Sequence, residues 1–496
     1  MLRQIVGYIP STVVPAIASF AMIYIYTRLL TPAEFGGFSL VFSVILLVQA
    51  SLFFAVPLAL MRFYKQAVEQ QRKVQFLGEC YTLFYLLSGS IVILIGAAVV
   101  FFANAGSTVL WALAVLVLLT RSAVILNQSV NRVSFQIRRY NIIECLHAGL
   151  GLGLGSLFIY LLGSTAEAVV LGLLVASTVC ALADHELLLL PFQRGRQPFD
   201  TRAIGRLIRF SLPLVVMDTT VCLLALSDRF LLSTLAGAEA LGVYTVAYNL
   251  VERPTALICT AMTAATFPIA VQVVEDHGPD AGGRQAGRNA SFLLAVLIPG
   301  CVGLGFVAPY MAAVMIGDHF RLGVAALIPI MSATALFRGI STHAVDHAFH
   351  LAGRPALGVL IYAPAAAINI ILNLIFIPKY GVVAAAWAGL GCQAAAVVAG
   401  CSLGRCAFPI SWPVRDIFKI AIAVVPLALT LNLVKFSLSW SGLLYAVSSG
   451  AVVFSASAVL LDVAGMRSLT LKLALRVPAV IHVALQRCVV RLADLR

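Results

Sequence analysis

Charged side chains are scarce in this sequence, and that scarcity sets the class of the protein. Only 11% of the 496 residues are Asp, Glu, Lys or Arg, whereas 61% are hydrophobic, and the mean hydropathy is +1.01. A soluble domain carries about 25% charged residues and cannot hide so much apolar surface around one core. The composition therefore excludes an ordinary soluble protein and predicts an all-α, polytopic membrane protein.

The sequence also lacks the motifs of an enzyme. No Walker motif, Ser/His/Asp set or catalytic pair of acids stands out, and the loops are too short to hold a catalytic domain. The alternating glycines between Gly149 and Gly155 do not have the G-x-G-x-x-G spacing of a nucleotide-binding loop. They favour close helix packing instead. We therefore expect neither an enzyme nor a cofactor.

Motifs for metals and nucleic acids are missing too. The ten cysteines form no C-x-x-C pair, and nearly all lie in apolar runs, which favours buried thiols over disulfides or zinc. The histidines at His343, His347 and His350 share a helical face, but one helix rarely supplies a complete metal site. Net charge is +13, yet no basic patch is interleaved with aromatic residues. We expect no metal and no nucleic-acid partner.

Long apolar runs are what the sequence has in abundance. A helix needs ~20 mainly apolar residues to cross a membrane, and about fourteen such runs follow one another along the chain. The predicted spans are 7–29, 38–61, 77–102, 108–128, 142–163, 167–190, 210–231, 242–271, 289–313, 323–343, 357–377, 382–403, 420–434 and 441–463. Two basic segments, 194–209 and 464–496, mix arginine with apolar residues and fit amphipathic helices on the membrane surface.

The basic residues between the spans predict the orientation. With the N-terminus placed inside, nearly all of the Lys and Arg that lie between spans fall on the inner side. Only Arg28, Arg321, Lys379 and Lys435 fall on the outer side. Cytoplasmic loops carry such an excess of basic residues. We therefore expect a multi-pass protein with both termini in the cytoplasm.

An internal repeat divides the chain. Arg28-Leu29-Leu30-Thr31 leads to Ala33-Glu34, and Arg229-Phe230-Leu231-Leu232 leads to Ala238-Glu239. The two copies lie six spans apart, so both halves should have the same orientation. Repeats of this kind are typical of transporters, with the substrate site between the halves. We predict a six-helix bundle over residues 1–207, a second over 208–414, and two extra helices with a basic amphipathic tail over 415–496.

Three segments resemble one known family. They are Tyr26-Thr27-Arg28-Leu29-Leu30-Thr31-Pro32-Ala33-Glu34-Phe35-Gly36, then Ser227-Asp228-Arg229-Phe230-Leu231-Leu232 running into Gly242-Val243-Tyr244, and a stretch from Gly353-Arg354-Pro355 through Asn369, Asn373 and Tyr380-Gly381-Val382 to Trp387. Together they look like the Wzx-type O-antigen and exopolysaccharide flippases. That family shares a superfamily with multidrug and toxin extruders and with lipid II flippases. The resemblance covers about residues 1–465.

The resemblance implies a function and its partners. It implies a flippase that moves an undecaprenyl-diphosphate-linked oligosaccharide across the bacterial inner membrane for exopolysaccharide or lipopolysaccharide biosynthesis. The partners would be the lipid-linked oligosaccharide, the lipid bilayer, and a polysaccharide polymerase with other assembly proteins.

Charged groups inside the spans are the candidate site residues, because each costs ~2.5–3.5 kcal/mol to place in lipid. In span ten, Thr334, Arg338 and Ser341 share one helix face. This polar stripe suggests the wall of a wet, cationic cavity. Arg121 and Arg253 are cations within two other spans. Arginine binds phosphate through bidentate bonds, so under the resemblance these residues would hold the diphosphate.

Other interpretations of these residues stay open. Asp218 and Glu252 are candidates for a carboxylate that couples transport to an ion. Each arginine could instead pair with a buried acid on another helix and simply hold helices together. A multidrug or cation extruder of the same superfamily would need a net acidic cavity. A non-transporting membrane scaffold of a glycan-assembly complex would tolerate loss of the cavity arginines.

Overall fold

The structure is a computed structural model that describes residues 7–102, 108–193 and 201–467 together with residue 470. Every regular element in these ranges is a helix. The helices are α1 (Ile9–Leu29), α2 (Pro32–Val48), α3 (Ala55–Glu69), α4 (Lys73–Phe102), α5 (Thr108–Val133), α6 (Ile137–Leu162), α7 (Ala166–Ala183), α8 (His185–Gln193), α9 (Thr201–Leu235), α10 (Gly237–Met315), α11 (Asp318–Ile340), α12 (Asp346–Leu351), α13 (Val359–Ala407), α14 (Val414–Leu433) and α15 (Trp440–Leu460).

Short irregular helices complete the chain. Single π-helical turns, Gln49–Phe53 and Ser341–Val345, join α2 to α3 and α11 to α12. Turns of 3₁₀ helix lie at Pro355–Gly358 and Val463–Gly465. A π-turn inserts one extra residue into the helical ladder, so α2–α3 and α11–α12 are each continuous rods with a local widening.

The helices of the described residues contain fourteen apolar segments. Twelve helical stretches of the described chain are long and apolar enough to cross a membrane. Two of these, α10 with 79 residues and α13 with 49, are too long for one span, because ~20 residues already cross the apolar core. Each is broken at a glycine with positive φ, Gly278 at 82° and Gly381 at 58°, so each contains two segments. The prediction of an all-α protein with about fourteen spans is confirmed.

The first helix junction follows from its sequence. The Thr31 hydroxyl accepts a hydrogen bond from the Glu34 backbone N–H at 3.3 Å, and Pro32 occupies the first turn of α2. Threonine at the cap and proline just after it both favour a helix start. The Glu34 carboxylate also accepts from the Ala166 N–H at 2.7 Å, at the beginning of α7. The motif thus starts one helix and fixes the start of another.

Two groups of helices pack side by side. In one, α6 packs on α1 and α7, and α7 also contacts α5; in the other, α11 packs on α10 and α13, and α13 also contacts α9. Helix α2 joins the groups by packing along α10, and α14 and α15 pack on each other and on α10. Large apolar side chains such as Leu322 and Tyr160 are 88% and 85% exposed, as expected where lipid takes the place of water.

Three details differ from the sequence-based expectations or fall outside the described residues. Residues 201–209, part of the predicted surface helix 194–209, run without a break into α9; residues 194–200 lie outside the described ranges. Most of the predicted tail, 464–496, also lies outside them. Among the alternating glycines only Gly155 lies in a very close helix contact, against Gly172 of α7. The other three have more open surroundings, so close packing explains one position and not the row.

Candidate functional site

One end of the molecule is closed by two glycines that pack reciprocally. A Cβ at Gly36 would lie 1.8 Å from the Ala238 carbonyl oxygen, and a Cβ at Gly242 would lie 2.0 Å from the Pro32 carbonyl oxygen. Gly36 is on α2 and Gly242 on α10, so the two predicted halves touch backbone to backbone. In each contact the glycine packs against the carbonyl that lies four residues before the other glycine, so the two contacts mirror each other. They indicate a local two-fold relation between the halves at this point.

Polar contacts reinforce the same end, which we name the closed end and define by Thr27, Arg28, Gly36, Gly242 and Gly317. The Arg28 guanidinium donates to the carbonyl oxygens of Val314 at 2.9 Å and Met315 at 3.1 Å. These carbonyls lie at the C-terminus of α10, where a cation is favoured by the helix dipole. The Gly317 N–H donates to the Thr27 hydroxyl at 3.1 Å. The charge pattern of the sequence predicts that this end faces outward.

A central cavity of about 670 Å³ extends from the closed end between the two groups of helices. Its walls come from α1, α2, α5, α6 and α7 on one side and from α9 and α10 on the other. Near the closed end the lining is aromatic, with Phe35, Phe38 and Phe42. The arginine, histidine and carboxylate residues that line it are Arg121, Glu144, His147, Asp218, Arg229, Glu252 and Arg253. The cavity is therefore polar in its middle and shared by both halves.

Three arginines line this cavity, and none of them forms an ion pair with a described carboxylate. The Arg121 guanidinium lies 4.8 Å from the Phe42 ring centre, and its Nε has no hydrogen-bond partner. Arg229 is buried, donates to the Ser43 hydroxyl at 3.3 Å, and lies 4.7 Å from the Tyr248 ring. A buried cation without a carboxylate is costly, and this applies to Arg229, whereas Arg121 is half-buried and Arg253 is exposed. The three guanidinium groups together give the cavity wall positive charge.

Carboxylates line the cavity as well, and two of the three have partners. Glu252 pairs with Arg338 at 3.4 Å. The Glu144 carboxylate accepts a hydrogen bond from the Gln128 amide at 3.2 Å. Asp218 lines the cavity from α9. Arg338, which lies behind the cavity wall, neutralises Glu252. The three arginines of the cavity therefore outnumber the two remaining carboxylates, Glu144 and Asp218.

A chain of side chains supports Glu144 from the protein interior. Gln128 accepts from the Asn131 amide at 3.1 Å, and Asn131 also donates to the Asp184 carboxylate at 2.9 Å. Asp184 is fully buried and forms an ion pair with Arg139. The cavity carboxylate is therefore connected to an ion pair that lies near the same end of α6 and is buried on its Asp184 side, and this fixes its position.

The polar stripe predicted in span ten does not line this cavity. Arg338 contacts the Tyr248 hydroxyl and Glu252, so it sits behind two residues of the cavity wall. Thr334 donates to the Ile330 carbonyl of its own helix at 3.0 Å, and the Ser341 hydroxyl contacts the Tyr362 hydroxyl at 3.0 Å. The structure brings Arg121, Arg253, Asp218 and Glu252 together in the cavity. The stripe of Thr334, Arg338 and Ser341 instead makes its contacts within and between helices.

Removing the Arg338 side chain should destabilise the protein. Arg338→Met leaves the Glu252 carboxylate without its ion-pair partner at a position where both side chains are mostly buried, 18% and 23% exposed. Breaking such a pair from one side should cost about 2 kcal/mol, below the range for fully buried pairs because of the partial exposure. Thermal unfolding in detergent measures the loss, and adding Glu252→Gln should restore part of it.

The matched control is an exposed ion pair on the same helix. Arg321 and Asp318 lie 2.7 Å apart, with 42% and 82% of the side chains exposed, so Arg321→Met should change the stability by less than ~1 kcal/mol. Equal losses for the two variants would show that Arg338 does not stabilise the protein through Glu252.

Three cavity residues were not among the sequence-predicted site residues, namely Arg229, Glu144 and His147. Glu144 and His147 lie one helical turn apart within span 142–163, and His147 contacts the Ser177 hydroxyl at 3.1 Å. An ionisable residue inside a span is a candidate site residue by default, and that signal was enough to find both. Arg229 was harder to find. It directly follows Asp228, and because consecutive helical residues point in different directions, the sequence does not show which of the two faces the cavity.

Asp228 itself faces away from the cavity into a buried network. Its carboxylate accepts from the Tyr244 hydroxyl at 2.5 Å and from the Asn373 amide at 2.7 Å. Asn373 also donates to the Asn369 side-chain oxygen at 2.9 Å, which accepts from Ser227 as well. The network ties α9 to α10 and α13 through polar residues that lie in the resemblance segments.

The protein is a polytopic helical membrane protein. A polar cavity lies between its two groups of helices and is closed at one end. This is the architecture of a membrane transporter. The chain belongs to the family described as polysaccharide biosynthesis protein, whose profile matches residues 25–324. This confirms the family that the sequence segments resemble. A search of curated protein sequences gives no match.

Several solved structures have a similar fold. The lipid II flippase MurJ in an inward closed conformation superposes with a TM-score of 0.74 at 14% identity, covering 92% of this chain and 99% of that one. An inward-facing multidrug resistance MATE family transporter of the MOP superfamily gives 0.61 at 16% identity, covering 80% and 97%. A MOP superfamily transporter from Pyrococcus furiosus with reversed polarity of its binding pocket gives 0.55 at 13% identity, covering 82% and 95%.

Proposed function

We propose that the protein is a flippase that moves an undecaprenyl-diphosphate-linked oligosaccharide from the inner to the outer leaflet of a bacterial inner membrane. The observation that carries this proposal is the set of unpaired arginines, Arg121, Arg229 and Arg253, in a cavity between the two halves. A diphosphate is a compact anion, and arginine binds phosphate through paired hydrogen bonds. Membership of the polysaccharide biosynthesis family supports a glycan as the group that the diphosphate carries.

The cavity suits the head of such a substrate. The sugars and the diphosphate would occupy the polar middle of the cavity, where backbone and side-chain donors replace water. The lipid tail would stay in the bilayer, because burying it in a polar cavity would gain nothing. Alternating access would then need the closed end to open and the opposite end to close. The protein would act as a transporter without a cofactor, both termini would lie in the cytoplasm, and a polymerase would receive the product.

A carboxylate of the cavity would couple transport to the movement of an ion. Asp218 lines the cavity without an ion-pair partner among the described residues, whereas Glu252 is already held by Arg338. We therefore place Asp218 ahead of Glu252 as the coupling group. The coupling step needs a carboxylate whose charge can change or be shared with a cation, and a carboxylate locked to an arginine is less suited to it.

A second candidate is export of a cationic compound. Glu144 and Asp218 are carboxylates on the cavity wall, and they are the kind of groups that would meet a cation. The fold similarity to multidrug transporters extends over most of the chain. The three unpaired arginines oppose this candidate, because they would repel a cation from the same space.

Deleting the gene in its native host separates the two candidates. A flippase deletion should abolish surface glycan and leave lipid-linked repeat units accumulated on the inner leaflet, which extraction and mass spectrometry would measure. Complementation with the intact gene is the control. Normal surface glycan together with new sensitivity to cationic drugs would instead support the exporter.

A further inference from the structure

A second cavity, of about 380 Å³, lies apart from the central one, where α9 begins beside α3 and α4. One wall is apolar and is formed by Phe63, Phe76, Leu207 and Phe210. The rings of Phe63 and Phe210 meet edge to face with their centres 5.2 Å apart. The apolar wall therefore combines α3 and α4 with the beginning of α9. We name this cavity the α9 groove.

The rim of the α9 groove is basic. Arg206 and Arg209 are exposed and lie one turn apart on α9, so they share a helix face. Neither forms an ion pair with a carboxylate of the described chain. The acidic residue at the groove, Glu79, lies 3.7 Å from the Arg72 guanidinium, so its charge is offset locally. The rim thus offers two guanidinium groups to an anion, next to an apolar wall.

We propose that the α9 groove binds an anionic phospholipid. The phosphate of the headgroup lies between Arg206 and Arg209, and the upper part of an acyl chain lies along Phe63, Phe76 and Phe210. A free phosphate would use the arginines but not the apolar wall, whereas a phospholipid uses both. The charge pattern predicts that the α9 groove faces the cytoplasm, and the cytoplasmic leaflet is rich in anionic lipids. The bound lipid contacts both α3 and the beginning of α9, where the first predicted half passes into the second.

Lipid titration of the purified full-length protein, followed by native mass spectrometry, tests the proposal. Phosphatidylglycerol should bind more tightly than phosphatidylcholine with the same acyl chains. Arg206→Gln with Arg209→Gln should weaken phosphatidylglycerol binding about 25-fold, since each arginine near an anionic lipid contributes about fivefold. Binding of phosphatidylcholine should not change.

The control variant is Arg138→Gln with Arg405→Gln, which removes two exposed arginines on the same predicted side but far from the groove in the chain. It should leave phosphatidylglycerol binding intact. Inorganic phosphate added at constant ionic strength should not displace the lipid; displacement would indicate a phosphate site and overturn the proposal. Equal binding of the two lipids, or equal losses in the two double variants, would overturn it too. All variants alter exposed side chains, so unchanged melting temperatures should accompany each result.

Discussion

Replacing Arg253 with glutamine should reduce glycan export by roughly 10-fold to 100-fold at equal expression. Arg253 lines the central cavity from α10 and has no carboxylate partner among the described residues, so its loss removes charge without stranding a buried acid. A hydrogen bond to a charged group contributes about 1.5–3 kcal/mol, which sets this range. Surface glycan and lipid-linked repeat units, measured together, report the export step.

Two further variants show whether the guanidinium and not only its charge is used. Arg253→Lys keeps the charge but loses the paired donors, so it should fall between the wild type and Arg253→Gln. Arg138→Gln removes an exposed arginine outside the cavity and should export normally. If Arg121 and Arg253 bind the same diphosphate, the double variant should lose less than the two single losses added together. Normal export by Arg253→Gln would remove this residue from the site.

The number and type of the spanning segments could be predicted because lipid imposes a strict length on each. A span must be ~20 residues of mainly apolar sequence, and that requirement is visible without any knowledge of neighbours. The start of α2 could also be predicted, because a Thr31 cap and Pro32 act within one turn of the chain. Features that depend on a few adjacent residues were therefore accessible from the sequence alone.

The composition of the cavity could be predicted only in part, because it depends on which helices are neighbours. The helix face of Arg338 was visible from the spacing of Thr334 and Ser341, but its partners Tyr248 and Glu252 lie on another helix, far away in sequence. The same limit applies to Gly36 and Gly242. Their place in a repeat was visible, but the repeat does not reveal that the two copies touch each other.

Adding one methyl group at Gly36 should open the closed end. In Gly36→Ala the new Cβ would lie 1.8 Å from the Ala238 carbonyl oxygen and 2.7 Å from its carbon. Both atoms are backbone, so neither can move aside without shifting α10 relative to α2. Overpacking of this kind costs about 1–3 kcal/mol. The cost applies only while the two helices touch, so it favours states in which they separate and raises the open fraction about tenfold.

Native cysteines report this opening, so no cysteine has to be introduced. Cys222 lines the central cavity, whereas Cys406 is exposed at the predicted inner side. A membrane-impermeant thiol reagent added to the predicted outer side of sealed cells should label Cys222 about tenfold faster in Gly36→Ala, as judged by peptide mass spectrometry. Cys406 should stay unlabelled, which shows that the membrane is intact.

Gly37→Ala is the matched control, because a Cβ there meets only the Ala166 side chain at 3.6 Å, an ordinary contact. It should label like the wild type. Gly242→Ala, which would place its Cβ 2.0 Å from the Pro32 carbonyl oxygen, should behave like Gly36→Ala because the contact is reciprocal. If both tight glycines tolerate alanine with unchanged Cys222 labelling, the backbone contact between α2 and α10 does not control access from this side. If only the tight positions respond, this contact controls access to the cavity from the closed end, and the arginines beneath it meet the outer solution only when it separates.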